Sequence, residues 1–60
     1  AVVAALRTLP ARQREALVLR YYLDLSEAET ADLMGVSRGA VKSHTFRGLA
    51  ALKQSLGAQR

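Results

Sequence analysis

The sequence predicts an all-α domain of four short helices, on three observations. Apolar residues recur at spacings of three and four, and no segment alternates apolar and polar residues with the period of a half-buried strand. Pro10, Ser26 and Ser37 stand where helices start, and Gly35 and Gly57 where they stop. The 60 residues contain no linker, repeat or low-complexity stretch, so these elements form one small domain.

The first helix carries a short apolar stripe of Val2, Val3 and Leu6 and ends near Thr8-Leu9-Pro10. The second starts there, because proline has a φ fixed for the first helical turn and no N–H to lose. It is expected to run to about Tyr22 with Leu17, Val18, Tyr21 and Tyr22 facing inward. Ser26-Glu27-Ala28-Glu29 reads as a capping box: the serine hydroxyl accepts from the backbone three residues on, and Glu29 reaches back. This third helix is short, since Gly35 follows as a left-handed C-cap, and its inward face is expected to be Thr30, Ala31, Leu33 and Met34. Gly35-Val36-Ser37 is the turn. Ser37 then caps a last helix reaching about Leu56, beyond which Gly57 lets the tail fray.

Two helices joined by a three-residue turn containing glycine have the form of a helix-turn-helix. Its steric needs are met in register: small Ala31 where the helices cross, Gly35 in the turn, and branched Val41 packed back from the second helix. A plain helical hairpin is the alternative. The sequence thus reads as a small four-helix domain containing a helix-turn-helix. At about 100° per residue, Val41, Thr45, Leu49, Leu52 and Leu56 share one stripe facing the core. Ser43 and Arg47 point away from it, Lys42 lies on its flank, and Phe46 falls roughly 100° from its centre. An aromatic there either contacts a partner or shields a neighbouring helix edge. Gly48, near the stripe, indicates close helix packing; Gly39 leaves room for a helix or for a nucleic-acid backbone.

Net charge is +4, with a pI near 10.4. Arg7, Arg12, Arg14 and Arg20 against Glu15 make the first segment +3; Asp24, Glu27, Glu29 and Asp32 make the second −4; Arg38, Lys42, Arg47, Lys53 and Arg60 make the last +5. The purely basic segment is the one to read for a nucleic-acid contact, the alternative being a solvated face. Other classes are excluded. Zero cysteines remove a disulfide framework and thiolate metal sites, and His44 is a lone histidine, so neither metal nor cofactor is expected. Three aromatics do not make a stacking platform for single strands. No apolar run reaches the roughly 18 residues of a membrane span. Ser43 and His44 are adjacent on a helix, diverge by about 100° and cannot act as nucleophile and base. The acidic cluster surrounds the first turn of a helix, where the dipole favours it. No phosphate-binding glycine loop is present, so neither an enzyme nor a small-molecule substrate is expected. The chain starts at Ala1 rather than Met, and the expectation is a piece of a longer protein.

Leu9-Pro10-Ala11-Arg12-Gln13-Arg14-Glu15, then Leu19-Arg20-Tyr21-Tyr22, then Leu25-Ser26-Glu27-Ala28-Glu29-Thr30-Ala31, then Val41-Lys42-Ser43 resemble region 4 of bacterial RNA polymerase sigma factors. The resemblance is to the extracytoplasmic-function group, covers nearly the whole chain, and looks actinobacterial. It implies reading of the promoter −35 element by the last helix and seating on the β flap of the RNA polymerase core, in the cytoplasm. It implies DNA contacts at Arg38, Lys42, Ser43, Phe46 and Arg47, to which Ser37 and His44 are added as candidate contacts from their place on the same helix. Lys42 and Arg47 would meet phosphate or guanine edges, Ser43 a base edge or phosphate, Phe46 thymine methyls, and His44 a phosphate or solvent. An anti-sigma factor masking the same basic surface is a further implied partner. Many members carry aliphatic residues where this chain has Thr30 and Thr45, which polarises the core. The alternative resemblance, through Val41 to His44, is to the LuxR-type response-regulator effector domain, which dimerises and binds palindromes.

Overall fold

A computed structural model describes residues 2–57, and among them there are helices and no strands. Helix α1 spans Val2–Arg7, α2 spans Ala11–Leu17 and continues as a π-helical turn over Val18–Tyr22, α3 spans Glu27–Met34, and α4 spans Arg38–Gly57. The expected fraying of the tail beyond Gly57, and the charge on Arg60, lie outside the described residues. Helix α4 packs along α2, then α3, then α1, so the longest helix is the spine of the domain. No described helix is long and apolar enough to cross a membrane.

The joints follow from local chemistry. The Thr8 N–H and hydroxyl both donate to the Ala5 carbonyl, at 3.1 and 2.6 Å, which closes α1. Pro10 sits just outside α2 as its N-cap, φ −55° and ψ 147°, and its carbonyl accepts from the Arg14 N–H at 3.0 Å. Between the π turn and α3, Asp24 takes φ +57°, a left-handed conformation that aspartate tolerates better than most residues. The capping box at α3 is present: the Ser26 hydroxyl accepts from the Glu29 N–H at 3.0 Å, and the Ser26 N–H donates to the Glu29 carboxylate at 2.9 Å. Gly35 ends α3 at φ +68°, and the Val36 N–H donates to Ala31 at 3.1 Å across that turn. The Ser37 hydroxyl accepts from the Ala40 N–H at 3.0 Å and opens α4.

The core is small and built mostly of small side chains: Ala5, Leu9, Ala16, Leu17, Thr30, Ala31, Met34 and Val41. Gly48 is buried with them, and a Cβ there would lie 3.0 Å from Leu17 Cδ1 and 3.4 Å from the Gln13 carbonyl. That is the close α2–α4 approach its position in the sequence indicates. The buried Thr30 and Thr45 hydroxyls have no hydrogen-bond partner among the described residues.

Three expectations about inward faces are corrected. Tyr21 and Tyr22 are exposed, Tyr22 at 84%, because the side they share with Leu17 and Val18 lines an open groove and not a closed core. Their segment, Val18–Tyr22, is a π turn, in which the Leu23 N–H donates five residues back to Val18 at 3.0 Å. Leu33 is 67% exposed, because α3 buries only the narrow arc of Thr30, Ala31 and Met34, and Leu33 lies about 100° from Met34 around the axis. Val2 and Val3 are also exposed, and α1 is anchored by Ala5 and Leu9. On α4, Val41 is fully buried while Thr45, Leu49, Leu52 and Leu56 are half-buried.

Candidate nucleic-acid interface

Helix α4 is oriented by Val41, which is 0% exposed, and by Gly48 about two turns further on. With that edge turned inward, the opposite edge is fixed. Lys42, Ser43, Phe46 and Arg47 are all exposed and share a sector about 140° wide around the axis. Phe46 is 75% exposed and shields no helix edge. Arg38 and Ser37 are exposed at the start of α4, Ser37 committed through its hydroxyl to the cap. His44 is half-buried, about 60° beyond Arg47 on the wheel, and stands at the margin of the face. Gly39 has open space where a Cβ would project, with Ser37 Oγ the nearest atom at 3.9 Å. Among the described residues, no other helix uses the room it leaves.

The face is one turn of helix carrying two cations, a hydroxyl and a phenyl ring, projecting from a capped helix start. Such a helix can enter a major groove, where cations meet phosphates or guanine edges and a ring meets thymine methyls. One feature of its electrostatics is absent from the sequence pattern. Lys42 Nζ lies 4.0 Å from a carboxylate oxygen of Glu27, the first residue of α3. The two are 15 positions apart and share no motif, so only the helix crossing reveals them.

The first segment's cations are engaged elsewhere. Arg12 donates to the Met34 carbonyl at 2.8 Å, at the C-terminus of α3, and pairs with Glu15 at 3.5 Å. Arg20 donates to the Leu25 carbonyl, just before the α3 N-cap, with its guanidinium 5.9 Å from the Tyr21 ring centre. Two guanidiniums of one helix thus bracket the first helix of the helix-turn-helix at both ends. On a different part of the surface, Val2, Val3, Leu6, Leu17, Val18 and Leu52, among others, line an open apolar groove of about 570 Å³. None of the residues that line it belongs to α3 or to the first three turns of α4.

Fold and face together define a helix-turn-helix domain whose second helix offers a basic, partly aromatic edge. Comparison with known proteins gives the family. Residues 1–52 match the family model for sigma-70, region 4. The chain is 43% identical over 54 residues to the RNA polymerase sigma-E factor of Streptomyces coelicolor, covering 90% of this chain and 30% of that protein. It is 45% identical over 51 residues to the ECF RNA polymerase sigma factor SigD of Mycobacterium tuberculosis, covering 85% of this chain and 24% of that protein. Among solved structures, the RsbN–BldN complex superposes with a TM-score of 0.84 at 38% identity, over 88% of this chain and 38% of that one. The chain belongs to the sigma-70 region 4 family, in its extracytoplasmic-function group. It spans less than a third of the length of these sigma-factor relatives.

Proposed function

We propose that this chain is the −35-reading domain of a longer sigma factor, which directs RNA polymerase to promoters in the cytoplasm and performs no chemistry of its own. The observation that carries the reading is the outward edge of α4: Lys42, Ser43, Phe46 and Arg47 on one face, held there by buried Val41. Arg47 and Lys42 take phosphates or guanine edges, Ser43 a base edge or phosphate, and Phe46 thymine methyls. Arg38, Ser37 and His44 flank the face as backbone contacts. The apolar groove between α1, α2 and the far half of α4 is the surface we assign to the polymerase β flap, because it can be filled while the DNA face stays open. An anti-sigma protein is a further proposed partner, supported by a structural relative seen in complex with a second protein.

The test is selection of duplexes from a random pool by the full-length protein assembled with core polymerase. Asymmetric −35-like sites support the reading, and palindromic sites refute it. Arg47→Ala and Lys42→Ala should each weaken binding, by about 1–3 kcal/mol where the side chain reads a base edge. A phosphate contact would instead lower the salt slope by about one unit for every sequence. If neither substitution changes binding to any duplex, α4 is not the reading helix.

A further inference from the structure

We infer that Glu27 governs Lys42: it holds the lysine's charge in the free protein, so that Lys42 reaches a phosphate only by leaving its partner. The inference rests on the reading of Lys42 as a DNA contact. Its ground is the 4.0 Å separation between Lys42 Nζ and Glu27 Oε1, together with the unlike settings of the two side chains. Glu27 is the more enclosed, 29% exposed against 68% for Lys42. It is also fixed at the first position of α3, whose start is locked by the reciprocal bonds of Ser26 and Glu29 at 3.0 and 2.9 Å. Lys42 swings on a long flexible stem at the edge of the α4 face. The carboxylate is therefore the stationary partner, and the ammonium is the one that moves.

The consequence is thermodynamic. An ammonium transferred from a carboxylate to a phosphate exchanges one anionic neighbour for another. Its net contribution to binding is smaller than that of a free cation by whatever the pair was worth. For an exposed pair that discount corresponds to about a two- to fivefold change in affinity. It also removes part of one counterion's worth of salt dependence, because Lys42 enters the complex already partly neutralised. Both effects apply to duplexes of any sequence. Glu27 thus holds down sequence-independent binding, the term that otherwise distracts a reader toward the many competing sites of a genome.

The experiment uses the full-length protein with core polymerase. It measures binding to a duplex carrying the selected −35 sequence and to a random-sequence duplex, across a salt series. Glu27→Gln should tighten binding to both about two- to fivefold and steepen the salt slope by up to about one unit. In a Lys42→Ala background the same change should have little effect. Asp32→Asn, which removes an equal charge from the same helix away from Lys42, should not reproduce the gain. The inference is overturned if Glu27→Gln is neutral or weakening, if its gain persists without Lys42, or if Asp32→Asn matches it. If Lys42→Ala itself leaves binding unchanged, the DNA-contact reading of Lys42 has failed, and this inference falls with it. If Lys42→Ala weakens binding while Glu27→Gln does nothing, only the inference fails.

Discussion

Replacing each of two helical glycines by alanine separates the packing of α4 from its intrinsic helicity. Alanine is favoured over glycine inside a helix by up to about 1 kcal/mol, so both substitutions share the same gain in principle. At Gly48 the new Cβ would lie 3.0 Å from Leu17 Cδ1, 3.1 Å from Leu17 Cγ and 3.4 Å from the Gln13 carbonyl. Leu17 is 4% exposed and Gln13 offers backbone, so neither neighbour gives way freely. Forcing a methyl into a packed contact costs about 1–3 kcal/mol, which exceeds the propensity gain and leaves a net loss of up to about 2 kcal/mol. At Gly39 the nearest atom is 3.9 Å away, no clash opposes the gain, and stability should rise. For a domain of this size, about 1 kcal/mol moves Tm by roughly 4–8 °C. Thermal unfolding followed by circular dichroism should place Gly48→Ala below the parent and Gly39→Ala above it. A Gly48→Ala domain that melts at or above the parent would refute the close-packing account of that glycine.

Thr30→Val should raise Tm, because Thr30 is fully buried with an unpartnered hydroxyl; the gain expected from removing that polar atom is about 1 kcal/mol, read by the same melts. Ser26→Ala removes the α3 cap and should destabilise by about 1 kcal/mol. The hydrogen bonds from the Ser26 backbone and then its hydroxyl hold the Glu29 carboxyl below its ordinary value of 4.5. A carboxyl lowered on folding contributes stability that is complete above its unfolded value and is lost as pH falls through the lowered one. Melts from neutral pH into the acid range should therefore lose less stability in Glu29→Gln than in the parent. Arg12→Met should destabilise by about 1 kcal/mol through the lost bond to the Met34 carbonyl and should weaken DNA binding at salt concentrations where the domain stays folded.

Local signals explain what could be read from the sequence. The capping box, the left-handed Gly35, the Ser37 cap and buried Val41 each depend on residues a few positions apart, and the structure has all of them. The outward position of Phe46 followed from helical periodicity once Val41 was placed inward. Expectations failed where the contact covering a face is limited. No residue in Val18–Tyr22 announces a π turn, and nothing local shows that the side holding both tyrosines lines an open groove. Leu33 failed for the same kind of reason: periodicity shows which residues lie on one side of a helix, but the width of the covered arc depends on neighbours distant in sequence. The Glu27–Lys42 and Arg12–Met34 contacts are of that same non-local kind.

Those long-range contacts also change the meaning of the net charge. Counted along the sequence, the first segment and the last look like comparable basic surfaces. In the fold they are not equivalent. Arg12 and Arg20 reach the carbonyls of Met34 and Leu25, so two of the four arginines of the first segment orient α3 from its two ends. A guanidinium suits that role, because it keeps its charge and donates along fixed directions, here to the Met34 carbonyl that the end of α3 leaves free and to the Leu25 carbonyl just before its N-cap. Arg38, Lys42 and Arg47 project from α4 instead, and of these only Lys42 has a carboxylate within 4.0 Å among the described residues. The same α2 that supplies Arg12 also supplies Leu17 to the groove wall and, in the π turn that continues it, Val18 and Tyr21. One helical segment thus holds the reading unit on one side and offers an apolar seat on the other. None of the residues lining the groove is Lys42, Ser43, Phe46 or Arg47, so the two surfaces do not overlap.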